Sequence, residues 1–229
     1  MRSGSQYLSI MNKEKKIHIA IADDYKVFRE AIKKCIAGDK SLELVLEADN
    51  GKELISGFEK IVPDVVIMDL KMPVMDGMET TKFITKNFPG VKVLVVTMYG
   101  EEKFIRHLMD IGANGYLLKN AEPEEIRRSV YAVYENGYYF NDLISTELLK
   151  ELSVKNNIQL IFKEDIQLTK QELEVLKLTF DEKDVEAIAK EINVTPAIVI
   201  ELHKHLIGKI GVRNVAGLVM FAIKNGIIT

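Results

Sequence analysis

The chain has 229 residues, of which 47% are apolar and 28% charged, with a formal net charge of −3. Those proportions are globular, and the length holds one large domain or two ordinary ones. No apolar run approaches the roughly 18 residues of a membrane-spanning helix, and Met1–Met11 lack the basic-then-apolar order of a secretory signal. Met1–Ser5 read as a leader, with Met11 a second possible start. The single cysteine, Cys35, excludes an internal disulfide and is expected as a small buried thiol. A cytoplasmic protein with no membrane partner is expected.

Along the chain, short apolar runs alternate with helical periodicity from residue 16 to residue 136. The predicted strands are Ile17–Ala22, Leu42–Ala48, Val65–Met68, Val91–Thr97 and Gly115–Leu118. Runs such as Val65-Val66-Ile67-Met68 suit strands covered on both faces. Between and after them come predicted helices at Tyr25–Ala37, Gly51–Ile61, Gly77–Asn87, Glu101–Ile111 and Pro123–Asn136. Pro123 at a helix start, followed by Glu124 and Glu125, suits the helix dipole. Strands alternating with helices imply an α/β domain, a doubly wound five-stranded parallel sheet with its ligand site beyond the carboxyl ends of the strands.

Residues 137–166 read as a linker containing a short amphipathic helix, Asp142–Leu152. From residue 167 to residue 229 the periodicity is purely helical, at Lys170–Thr179, Asp184–Ile192, Thr195–Ile210 and Asn214–Asn225. A small all-α four-helix domain is expected there.

The first domain concentrates chemistry at one sheet edge. Asp23 and Asp24 follow the first strand, Asp69 follows the third, Thr97 ends the fourth and Lys119 follows the fifth. In a parallel sheet these strand ends share one edge. Carboxylates so placed raise one another's pKa unless a cation offsets them. Mg²⁺ is the natural counter-ion, and it typically takes one or two carboxylates plus water and phosphate oxygens. A carboxylate beside it can attack an activated phosphorus to give an aspartyl phosphate. Thr97 can donate a hydrogen bond to that phosphoryl group, and Lys119 can pair with it. Singly, each of these residues has a simpler role as a cap or a solvated turn residue; their combination in this order does not. A haloacid-dehalogenase-like phosphatase also uses an aspartate and Mg²⁺, but it wants a second aspartate two residues on, where Lys71 stands.

Ala22-Asp23-Asp24, the block from Met68-Asp69 through Met72-Pro73 to Asp76-Gly77, Val95-Val96-Thr97 and Gly115-Tyr116-Leu117-Leu118-Lys119 resemble the receiver domain of two-component response regulators. The resemblance implies that Asp69 accepts a phosphoryl group from a sensor histidine kinase. It implies that Asp24, Asp69 and the Lys71 backbone carbonyl ligate Mg²⁺, with Asp23 acting through water. It also implies that Thr97 and Tyr116 form a switch pair, in which the hydroxyl moves to the phosphoryl group and the ring turns inward. Met98 and Asn120 depart from the family's usual small residue and proline.

The second domain resembles the LuxR-type helix-turn-helix of the NarL/FixJ subfamily. Leu168–Leu176 match its opening helix, Ile188–Thr195 its scaffold helix and turn, and Lys209-Ile210-Gly211-Val212 the end of its recognition helix. The resemblance implies a DNA-binding transcriptional regulator, itself not an enzyme, that forms a homodimer on phosphorylation. On the helix 195–210, Val199, Leu202, Leu206 and Ile210 are expected to face the core. Ile200, His203, Lys204 and Ile207 then form the outer face toward DNA, with Lys209 and Arg213 contacting phosphates. Ile200, Leu202, Gln171 and Glu182 stand where the family more often has lysine, histidine, arginine and glycine. Residues 166–229 hold eight basic and eight acidic side chains, so electrostatic attraction to DNA is weak for one copy. A protein-binding adaptor using Ile200 and Ile207 is the alternative, ahead of an RNA-binding or purely structural role. His203 and His205 point to different helix faces and do not form a metal pair.

Overall fold

The computed structural model describes residues 16–98, 107–108, 111–139, 166–181, 183–225 and 227. Its first unit is a sheet of five parallel strands, β1 (Ile17–Ala22), β2 (Leu42–Ala48), β3 (Val65–Met68), β4 (Lys92–Thr97) and β5 (Gly115–Leu118), in the order β2-β1-β3-β4-β5. Helices α1 (Lys26–Ala37), α2 (Gly51–Gly57), α3 (Gly77–Asn87) and α4 (Pro123–Glu135) follow β1, β2, β3 and β5. Every residue of β3 is buried, and apolar clusters lie on both faces of the sheet. Continuous apolar runs are therefore what this chain needs for its strands to exclude water on both sides. Cys35 is buried under α4, with its Sγ donating to the Pro123 carbonyl at 3.1 Å. The Glu101–Ile111 helix falls largely, and the Asp142–Leu152 helix wholly, outside the described residues.

Local chemistry sets the helix boundaries. Asn50 and Asp76 accept hydrogen bonds from the Glu53 and Glu79 backbone N–H groups, capping α2 and α3. Helix α2 is shorter than the apolar pattern suggests. Its end tightens at Phe58, whose N–H bonds the Ile55 carbonyl, just after Gly57 passes close to the Leu46 side chain.

The second unit holds α5 (Lys170–Phe180), α6 (Val185–Glu191), α7 (Pro196–Ile210) and α8 (Val215–Lys224) around its own apolar cluster. Thr169 and Glu172 form a reciprocal capping box at α5. Gly211 ends α7 in the left-handed conformation at φ 83°. The α6–turn–α7 pair is a helix-turn-helix.

The units touch. Asn214 Nδ2 donates to the Ala113 carbonyl at 2.7 Å, and Phe180 and Val219 join the apolar cluster that contains Ile111 and Ala113. The Tyr138 and His203 rings meet edge to face, with centroids 5.8 Å apart.

One position ties this fold to the sheet edge. A Cβ on Gly77 would stand 2.0 Å from the Asp69 carbonyl oxygen, a backbone atom that cannot swing aside. Gly77→Ala is expected to lower stability by about 2 kcal/mol or more in urea unfolding of the full chain. A change below 0.5 kcal/mol would show that the Asp69–Gly77 approach relaxes freely.

Candidate functional site

Backbone hydrogen bonds carry the parallel ladder past the strand ends. The Asp23 N–H donates to the Ala48 carbonyl, the Asp69 N–H to the Ala22 carbonyl and the Lys119 N–H to the Thr97 carbonyl. Each site residue is thereby held one step beyond its strand. Asp23, Asp69 and Thr97 are buried, and Asp24 is exposed. The carboxylate oxygens of Asp23, Asp24 and Asp69 lie within 4.8 Å of one another. Lys119 Nζ stands 2.6 Å from Asp23 Oδ2 and 3.0 Å from Asp69 Oδ2. The other oxygens of these two aspartates accept from the Tyr25 and Leu70 backbone N–H groups, each at 2.8 Å.

Burial pushes the Asp23 carboxyl above its ordinary value, against the lowering pull of Lys119 and the Tyr25 N–H. For Lys119, burial would lower the pKa, but its bonds to Asp23 and Asp69 outweigh that and hold it raised. One ammonium thus faces three carboxylates, and the excess negative charge suits a hard cation held by oxygen ligands. Two cavities open onto the cluster. One, of about 580 Å³, is lined by Asp69, Lys119, Phe28 and Met98, and the other, of about 520 Å³, by Met72, Pro73 and Asp76; Asp24 and Lys71 line both. Thr97 Oγ1 is buried with no hydrogen-bond partner among the described residues. A buried hydroxyl left unmatched at such an edge is a donor awaiting an acceptor. The Tyr116 ring is fully buried, which is the inward position, and its burial raises the hydroxyl pKa to about 12.

An aromatic wall that the sequence patterns did not single out also appears. The Phe28 ring lies 4.8 Å and the Tyr25 ring 5.9 Å from Lys119 Nζ, close enough for cation–π attraction. Tyr25 directly follows the acidic pair and Phe28 lies one helical turn on, so that spacing was the available signal.

On α7 the expected outer face needs correction. Val199, Leu206 and Ile210 are buried as expected. His203 is buried too, whereas Leu202 is only partly covered. Positions 202 and 203 straddle the inward line, and two contacts decide between them. His203 Nε2 lies 2.8 Å from Thr179 Oγ1, and the Tyr138 ring covers the imidazole. Ile200 and Ile207 are half-buried against the helical cluster, so the exposed stripe runs through Ala197, Glu201, Lys204, His205 and Gly208. Lys209 bonds the buried Glu172 at 2.7 Å. Burial would raise the Glu172 pKa, but Lys209 and the Thr169 N–H hold it lowered. The Lys209 charge is thus already matched inside the domain. The Thr169–Glu172 spacing was the legible sign that an acid sits there. Arg213 is exposed and faces the first unit near Gly112.

A parallel sheet with acids at its strand ends, joined to a helix-turn-helix unit, is the plan of a signalling regulator of nucleic acid. Residues 19–131 match the family described as "Response regulator receiver domain", and residues 166–222 match "Bacterial regulatory proteins, luxR family". The chain is 31% identical to the transcriptional regulatory protein DegU of Brevibacillus brevis, covering 93% of this chain and 95% of that one. It is 33% identical to the oxygen regulatory protein NreC of Staphylococcus aureus, covering 90% and 96%. Among solved structures it is similar to RcsB in two dimers bound to two parallel DNAs, at 25% identity and a TM-score of 0.54, covering 93% and 100%. The chain belongs to the two-component response regulators with a luxR-type DNA-binding domain, and it is a regulator of transcription. Among the described residues no helix is long and apolar enough to cross a membrane.

The buried imidazole carries a pH dependence. The Thr179 hydroxyl donates to the Val175 carbonyl, so its oxygen accepts from His203 Nε2–H, and Nδ1 has no hydrogen-bond partner among the described residues. Desolvation lowers the His203 pKa from 6.5 to about 4. A base with a depressed pKa contributes its full stability above the unfolded value and loses it as pH falls below 6.5 toward 4. Between pH 7.5 and pH 5 the folded chain should lose roughly 2 kcal/mol through this group. Thermal unfolding of wild type and His203→Gln across that range checks this. An equal acid loss in both proteins would assign the effect to other groups.

Proposed function

We propose that Asp69 is the phosphoacceptor of this response regulator. The supporting observation is the placement of its carboxylate beside Lys119, within reach of Asp23 and Asp24, at the floor of an open cavity. A sensor histidine kinase is the donor. An Asp69 carboxylate oxygen attacks the phosphorus, the oxygen–phosphorus bond forms as the nitrogen–phosphorus bond breaks, and the departing imidazole takes up a proton. Lys119 leaves its pairing with Asp69 and neutralises phosphoryl oxygens, and Thr97 Oγ1 gives them its free hydrogen bond. Mg²⁺ would be held by Asp24, Asp69 and the Lys71 carbonyl, with Asp23 reaching it through water, and when bound it supplies charge neutralisation. Tyr116 is the second half of the switch, holding its ring inward under the displaced Thr97.

The output step follows in the cytoplasm. A phosphorylated homodimer releases the helix-turn-helix unit from the receiver and binds DNA through the exposed stripe of α7. Lys204 and Arg213 neutralise phosphates there, and Ile200 lies at the edge of the base-reading surface. Lys209 and His203 support the helix from within rather than touching DNA.

Asp69→Asn should abolish labelling by a small phosphodonor with Mg²⁺, and Asp24→Ala should weaken Mg²⁺ binding at least tenfold through loss of a charged ligand. Persistent labelling of Asp69→Asn would move the acceptor elsewhere. On DNA, Lys204→Ala should weaken binding to all sequences alike and make the log–log salt dependence shallower by about one phosphate contact. Lys209→Met should lower the melting temperature instead, because it leaves Glu172 charged and buried. An unchanged salt slope for Lys204→Ala would take that residue out of the interface.

A further inference from the structure

Where the two domains meet, a cleft of about 310 Å³ is lined by cations from both sides. The receiver contributes Lys82 and Lys86 from α3 and Lys92 from the first position of β4, and the output domain contributes Arg213. Lys92 is half-buried. Desolvation, and then the charge of Lys204 across the gap, lower its pKa. Among the described residues, no ion pair joins Lys82, Lys86, Lys92 or Arg213 to a carboxylate. The polar groups around them are already matched. Thr85 Oγ1 donates to the Ile111 carbonyl, and Asn114 accepts from the Val93 N–H and donates to the Gly137 carbonyl. What the cleft leaves unmet is positive charge alone.

We propose that this cleft binds a short polyphosphate chain, free or carried on a nucleoside, that bridges the receiver and output domains. Lysine ammoniums and an arginine fork on opposite walls suit several phosphate oxygens at once. The volume lies at the lower end of small-ligand sites. A DNA duplex would have to part the domains to reach the same groups, so the recess favours a small anion. By neutralising cations on both walls, the ligand holds the domains together. It also occupies Arg213 and screens Lys204, two residues that the DNA reading above requires to be free. The ligand therefore opposes DNA binding.

Calorimetric titration of the full chain with tripolyphosphate, and separately with a nucleoside triphosphate, tests this. Mg²⁺ is omitted so that the carboxylate pocket repels both anions. Saturable binding is expected, weakened roughly tenfold by Lys92→Gln or Lys86→Gln, retained by Lys92→Arg and unaffected by Lys190→Gln on the remote helix α6. Tighter binding of the nucleoside form identifies a nucleotide as the ligand, and equal binding identifies the phosphate chain. Absence of binding beyond that seen with sodium chloride at equal ionic strength would overturn the proposal, as would equal losses in Lys92→Gln and Lys190→Gln. In a second arm, tripolyphosphate should raise the Kd for duplex DNA in wild type and not in Lys92→Gln. If wild type binds no duplex at all, the DNA reading fails while the calorimetric arm still decides the site.

Discussion

Three carboxylates around one ammonium, at the carboxyl edge of a parallel sheet, are the constraint on which the rest of the receiver depends. At an effective dielectric of about 20, like charges some 4 Å apart repel by about 4 kcal/mol, so Asp23, Asp24 and Asp69 cannot share a pocket unopposed. Lys119 offsets only part of that charge, and it is held against two of the three. The arrangement persists because backbone hydrogen bonds from Asp23, Asp69 and Lys119 extend the ladder beyond the strands. The sheet fixes where these residues' main chain stands, and the side-chain bonds of Asp23 and Asp69 to the Tyr25 and Leu70 N–H groups and to Lys119 orient the carboxylates. The unmet negative charge and the unmatched Thr97 hydroxyl then ask for complementary things, a cation and an oxygen acceptor. A phosphoryl group with a divalent ion supplies both.

Much of this was legible because both ingredients leave strong traces. Fully buried strands read as unbroken apolar runs, and residues directly after such runs must fall on one edge. Asp69 and Lys119 could be placed together from 50 residues apart in the chain on that ground alone. The helical domain was legible as a fold for a different reason, since Thr169, Thr195-Pro196 and Gly211 mark helix ends chemically.

The facing of α7 was less legible. Apolarity puts Leu202 inward, yet neighbouring positions on a 3.6-residue repeat compete for one line, and polarity alone does not decide. His203 wins because α5 offers a hydroxyl oxygen at Thr179 and the segment just after α4 offers the Tyr138 ring. Neither partner is near it in sequence. Lys209 raises the same difficulty. As a cation near the end of a recognition helix it reads as a phosphate contact, but a buried acid 37 positions earlier claims it. Where a polar side chain is already satisfied by a distant partner, sequence pattern reports its type and not its employment.

The contact between the domains sets opposing effects against each other. The Asn214–Ala113 hydrogen bond, the Phe180 and Val219 packing and the Tyr138–His203 ring contact favour docking. The approach of Lys204 to Lys92, and the requirement that His203 stay neutral, oppose it. Interfaces between domains of one chain are by default modest and reversible. A docking equilibrium moves from almost wholly closed to almost wholly open for about 5.5 kcal/mol. A regulator has to work in that range. Were His203 replaced by an apolar residue and Lys92 by a neutral one, two effects that oppose docking would be removed and the same surfaces would hold together more firmly. The polar defects in this interface oppose docking and keep the contact between the domains reversible.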